Sequence, residues 1–98
     1  MAKLAKRVAV QVQTWTKKYS TTYDKNVEAK LVITPRRNDY LLLSLLSIGG
    51  KQAHKPEAFV ETREQVEFRR KGLAKDGFVL TVKTIHVHEA EAPPAWER

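Results

Sequence analysis

Asn38-Asp-Tyr-Leu-Leu-Leu-Ser-Leu-Leu-Ser-Ile-Gly-Gly50 is the stretch on which the fold turns, because its residues are compatible with two different elements. Asn38 or Asp39 can cap a helix N-terminus, leucine propagates helix well, and Gly49 can take the left-handed position after the last turn. An apolar run of this length also suits a strand covered on both faces and paired with its predecessor through a turn at 35–38. The leucine content tilts the reading toward a short buried helix over 39–48, and either element places the leucines in the core.

Working outward, residues 27–34 (Val-Glu-Ala-Lys-Leu-Val-Ile-Thr) favour a strand that Pro35 stops, since proline removes a ladder donor and restricts the residue before it. Residues 7–16 alternate Val8, Val10 and Val12 with Ala9, Gln11 and Gln13, the period of a half-buried strand. A helical stripe through Leu4, Val8, Val12, Trp15 and Tyr19 is the weaker alternative. The polar segment 20–26 then makes these two strands an N-terminal hairpin. Downstream, 49–56 reads as a connector and 57–75 as the longest helix. Its acids (Glu57, Glu61, Glu64, Glu67) precede most of its bases (Arg69, Arg70, Lys71, Lys75), as the macrodipole favours. Gly72 or Gly77 ends it. Phe59, Thr62, Val66 and Leu73 give an imperfect apolar stripe, from which Phe68 points away. Residues 78–88 (Phe-Val-Leu-Thr-Val-Lys-Thr-Ile-His-Val-His) form the clearest strand, apolar on both faces and so expected at the centre of a sheet or covered on both sides. The reading is an α+β fold: a small antiparallel sheet, made of the N-terminal hairpin and a central C-terminal strand, packed with one long helix and the short one. Residues 1–88 are expected as one compact domain and 89–98, with Pro93-Pro94, as a flexible tail.

Ninety-eight residues are enough for one core without staples, and the chain has no cysteine, which excludes thiol nucleophiles, thiolate zinc sites and iron–sulfur ligation. The basic start gives way to Val/Gln alternation, unlike a secretory signal, and no apolar run approaches the roughly 20 residues of a spanning helix. No membrane partner and a cytoplasmic location are therefore expected. The net charge of +7 is unevenly spread. Residues 1–55 hold eleven Lys/Arg against three acids, a net of +8, while 56–98 hold seven against eight, a net of −1. Such a split points to a basic face for an anionic partner.

Motifs for catalysis fail one by one. His86 and His88 share a strand face, but zinc needs three or four donors, and nothing in the spacing of His54 or Glu89 makes them converge. Ser44 and Ser47 lack the Gly-x-Ser-x-Gly elbow, and Gly49-Gly50-Lys51 lacks the first glycine and the Ser/Thr of a phosphate-binding loop. Helix termination accounts for those glycines. Glu57, Glu61 and Glu64 share a helix surface and read as solvated charge. No catalytic residue, metal or cofactor is expected.

The features that remain are basic and aromatic. Trp15, Lys17, Lys18, Tyr19, Tyr23 and Lys25 lie in or beside the hairpin loop, and Arg36 and Arg37 in the next turn. Cations release phosphate counterions and rings stack on unpaired bases, so the composition suits DNA or RNA. The expectation is a small non-enzymatic nucleic-acid-binding protein. The alternative is a protein-interaction module, or an accessory or inhibitory subunit, that uses Phe68, Arg69, Arg70 and Trp96 on a partner. A homo-oligomer is compatible with both.

Overall fold

The computed structural model describes residues 6–97. The basic start over 1–5 and the final arginine lie outside the described residues. The chain is an α+β fold with a six-strand antiparallel sheet and one helix. The strands are β1 (Arg7–Tyr19), β2 (Val27–Pro35), β3 (Tyr40–Ile48), β4 (Lys51–Gln52), β5 (Glu57–Glu61) and β6 (Val79–His88), and the helix is α1 (Arg63–Lys75). The order across the sheet is β4-β3-β2-β1-β6, with β5 paired to the same side of β3 as β4.

The leucine run is strand β3, not a short helix. Propensity loses here to pairing, because β2 bonds along its whole length on one side (Val27↔Ile48 to Pro35↔Tyr40) and β4 and β5 share the other. The expected two-strand hairpin is thus the opening of a longer meander. Gly49 and Gly50 do not end a helix. They form the two-residue connection from β3 to β4 with φ of 62° and 83°, the left-handed values a type I′ turn demands at both positions.

The long helix begins six residues later than the charge pattern implies. Residues 57–61 form β5, and Thr62 is the N-cap, its hydroxyl accepting from the Gln65 amide at 3.3 Å while the Gln65 side chain accepts from the Thr62 amide at 2.9 Å. This capping box satisfies two donors that the first turn leaves orphaned. Asp76 ends α1, and Gly77 follows at φ 86°.

β5 and β6 run in the same direction at opposite edges of the sheet, and α1 crosses one face to join them. Under it lies the core of Trp15, Leu31, Ile33, Tyr40, Leu42 and Val66, with Phe59, Leu73 and Phe78 packed around it. Register explains the membership: Trp15 faces Leu31 across β1–β2, Ile33 faces Leu42 across β2–β3, and Leu42 faces Phe59 across β3–β5. The fully buried Val10, and Val12, have the opposite parity in β1 and stand outside that cluster.

Two features depart from the sequence reading near the C-terminus. β6, expected at the centre, is an edge strand bonded among the described residues to β1 alone (Arg7↔His88 to Thr16↔Val79). Residues 89–97, read as a tail, fold back: Ala92 and Pro93 are buried, and Glu97 accepts a hydrogen bond of 3.0 Å from the Tyr40 hydroxyl.

Candidate nucleic-acid interface

The antiparallel registers sort the molecule into two ends. The first, the tip pole, collects the 20–26 loop between β1 and β2, the β3–β4 turn, the C-terminal end of α1 and the start of β6. The second, the turn pole, collects the 36–39 turn, the end of β5, the start of α1 and the residues after β6. β2, nine residues long, separates them by about 30 Å at about 3.3 Å per residue.

This separation divides the basic and aromatic residues singled out by sequence. Lys17, Lys18, Tyr19, Tyr23 and Lys25 stay together at the tip pole. Tyr23 is 94 % exposed and Tyr19 also stands in solvent. Their loop is held by its own polar residues: Thr21 donates its amide to the Asp24 carbonyl at 2.8 Å, and Asp24 donates its amide to the Thr21 hydroxyl at 3.0 Å. Asn26 closes it at φ 58° and accepts from the Gly49 amide at 3.1 Å, which ties the loop to the neighbouring turn. Between them lies a shallow groove of about 520 Å³, lined by Lys18, Tyr19, Asn26, Ser47, Gly49 and Gly50 among others.

Trp15 drops out of the surface set. It is only 7 % exposed, its ring belongs to the core, and its indole N–H is bonded to Gln13 Oε1 at 3.2 Å. A ring packed against Leu31 cannot also stack on a base. Arg36 and Arg37 leave the cluster for a different reason, since the β2–β3 turn is at the far end of the sheet. Arg36 is further committed to Asp39, 2.6 Å away, and that hydrogen bond raises the guanidinium pKa still higher.

The fold adds cations that sequence reasoning did not place. Lys51 follows the Gly49-Gly50 turn, and Lys75 ends α1 beside the same pole. Lys55 and His54 border a second cavity of about 400 Å³ floored by Leu31, Leu46, Phe59, Leu73 and Phe78. Lys17 lies over the Phe78 ring at 5.9 Å. Among the described residues, Lys17, Lys25, Lys51, Lys55 and Lys75 form no salt bridge. Lys18 approaches Glu28 at 3.9 Å, a contact it shares with Lys30.

The partner-binding set also divides. Phe68 is 82 % exposed, on the side of α1 turned from the sheet, and Trp96 is exposed near the turn pole. Arg69 and Arg70 are turned inward. Arg69 makes a bidentate pair with Glu61 (2.6 and 2.7 Å) and lies over Phe59, while Arg70 lies over the Tyr40 ring at 5.6 Å with its Nε buried and unbonded. The hydrogen bonds from Arg69 hold the Glu61 carboxyl below the usual carboxylate range. Burial, then the bond to Glu97, pushes the Tyr40 hydroxyl pKa up.

Among the described residues no group of three or more His, Asp or Glu is arranged to hold a metal ion, and no helix is long and apolar enough to cross a membrane. Comparison of the chain with protein-family models, with curated proteins and with solved structures finds no match.

Proposed function

We propose that the protein is a non-enzymatic binder of single-stranded or unpaired nucleic acid and that the tip pole is its contact surface. The observation that carries this reading is the concentration there of lysines without acidic partners beside two exposed tyrosines. Unpaired ammonium groups are free to displace phosphate counterions, and tyrosine rings in solvent supply faces for bases. The floored cavity beside Lys55 adds an apolar recess of a size that takes one flat ring. A cytoplasmic location belongs to the same reading.

The test is fluorescence anisotropy with a labelled single-stranded oligonucleotide over a salt series. Contact with about six phosphates gives a slope of log K on log salt near −4 to −5. The K17A/K18A/K25A/K51A variant flattens that slope by about 3, whereas R36A/R37A, at the other pole, leaves it in place. Equal effects of the two variants, or an unchanged slope in both, would remove the tip pole from the reading.

A second reading, an interaction module for a protein partner, rests on Phe68. A large ring 82 % exposed on the outer side of the helix has no role in the core. Capture of one stoichiometric protein that survives nuclease treatment and is lost in Phe68→Ala favours it.

A further inference from the structure

We propose that the outer edge of β6 is a self-association surface, on which a second copy of this chain adds its own β6 antiparallel to the first. β6 is ten residues long and last in the sheet, so alternate backbone N–H and C=O groups face away from β1, and among the described residues only the His88 carbonyl is taken up, by the Glu91 and Ala92 amides at 3.0 and 3.1 Å. Strand edges of this length are ordinarily protected by bulges, proline, several charges or a covering element. β6 has no proline, no acid and a single lysine, Lys83. Its register with β1 is unbroken over all ten pairs, so no bulge turns the edge away. Nor are its side chains those of a strand meant to stay in water: Val79 is 66 %, Leu80 42 % and Val82 48 % exposed.

A copy of this chain fits the edge for two reasons. An antiparallel edge is complementary to itself about a two-fold axis, which needs no second design. Two chains of net charge +7 also repel wherever their basic surfaces meet, and β6 is a long stretch nearly free of charge. The register follows from the same constraints. A two-fold axis perpendicular to the sheet preserves its faces, so one residue must lie opposite itself. Lys83 is excluded by like charge. Centring on Thr84 gives the longest overlap that remains, sets Val82 against His86 of the other copy, leaves the His88 carbonyl to the turn that follows it, and sends the two tip poles in opposite directions. The proposal does not depend on nucleic-acid binding.

The experiment uses nuclease-treated, oligonucleotide-free protein. Mass by light scattering should rise from 11.2 kDa toward twice that value between about 5 and about 500 µM, the range for an interface at the small end of the specific class. L80K/V82K, with its fold checked by circular dichroism, should weaken association at least tenfold, a loss of about 1.4 kcal/mol. Since the chain has no cysteine, position-specific linking is clean. Thr84→Cys should be joined to its copy by a short bismaleimide, and Thr81→Cys, about 20 Å from its counterpart in this register, should not. A protein monomeric throughout that range overturns the proposal, as does a dimer indifferent to L80K/V82K. Linking of Thr81→Cys but not Thr84→Cys overturns the register.

Discussion

The two poles of the sheet put their cations to different use. At the turn pole most of the cations are paired internally, Arg36 with Asp39, Arg63 with Glu67 and Glu97 (each 3.3 Å), Arg69 with Glu61, and Lys6 with Glu89 at 4.0 Å, while Arg37 forms no salt bridge among the described residues. Arg63 also covers the Trp96 ring at 4.4 Å, so residues 89–97 are clamped to the helix start through three side chains. At the tip pole Asp24, Glu28 and Asp76 are present, but among the described residues only Glu28 forms salt bridges, shared between Lys18 and Lys30, and Lys17, Lys25, Lys51 and Lys75 form none. Cations closed into pairs hold a structure together, and cations left open are available to a ligand. The positive half of the sequence is thus less informative than the positive end of the sheet.

The comparison can be tested by stability, from the largest effect to the smallest. Ile33→Ala, in the fully buried middle layer common to both poles, should cost about 3 kcal/mol in urea unfolding and set the scale. Glu61→Gln should cost about 1 to 2 kcal/mol, since it removes a charged bidentate bond to a half-buried arginine. The pH dependence has a definite sign. The folded pKa of Glu61 is depressed from 4.5, so its contribution is present above that value and is lost as pH falls through the lower folded pKa. The wild type should therefore lose more stability than Glu61→Gln as the pH is taken below about 4.5. Thr62→Ala, which breaks the capping box at the same pole, should cost about 1 kcal/mol. The K17A/K18A/K25A/K51A variant should change stability by less than about 0.5 kcal/mol while altering the salt slope of binding. A tip-pole variant that unfolds the protein as readily as Glu61→Gln would break the distinction.

The parts of this arrangement that the sequence makes legible are those with a single period. The stop at Pro35 and the turn residues of 20–26 each admit one reading, and in β1 the valine alternation outweighs the helical stripe. The leucine run admits two, and the choice is made by β2, β4 and β5, which no local pattern contains. The start of α1 was legible in principle: Thr62-x-x-Gln65 is a capping signature, but the glutamates before it drew the helix back over β5. β6 teaches something different. Apolar residues on both faces correctly indicate a strand, but the covered position they imply is not what the fold gives it, since β6 is an edge with its side chains largely open. As for the site, the lysines and tyrosines of one loop were visible as neighbours in sequence. The burial of Trp15, the distance of Arg36 and Arg37, and the approach of Lys51, Lys55 and Lys75 required the fold.

The opposite edge of the sheet bears on what happens beyond one contact. There β3 is covered not by one long strand but by two short ones that carry charges, β4 of two residues with Lys51 and β5 of five with Glu57 and Glu61, separated by a 53–56 segment that ends in Pro56. Such a margin offers no continuous ladder to an incoming chain. The molecule is therefore one-sided. Growth by the pairing proposed for its open margin would be spent after a single addition, which would let a chain rich in β-structure concentrate without extending into fibrils.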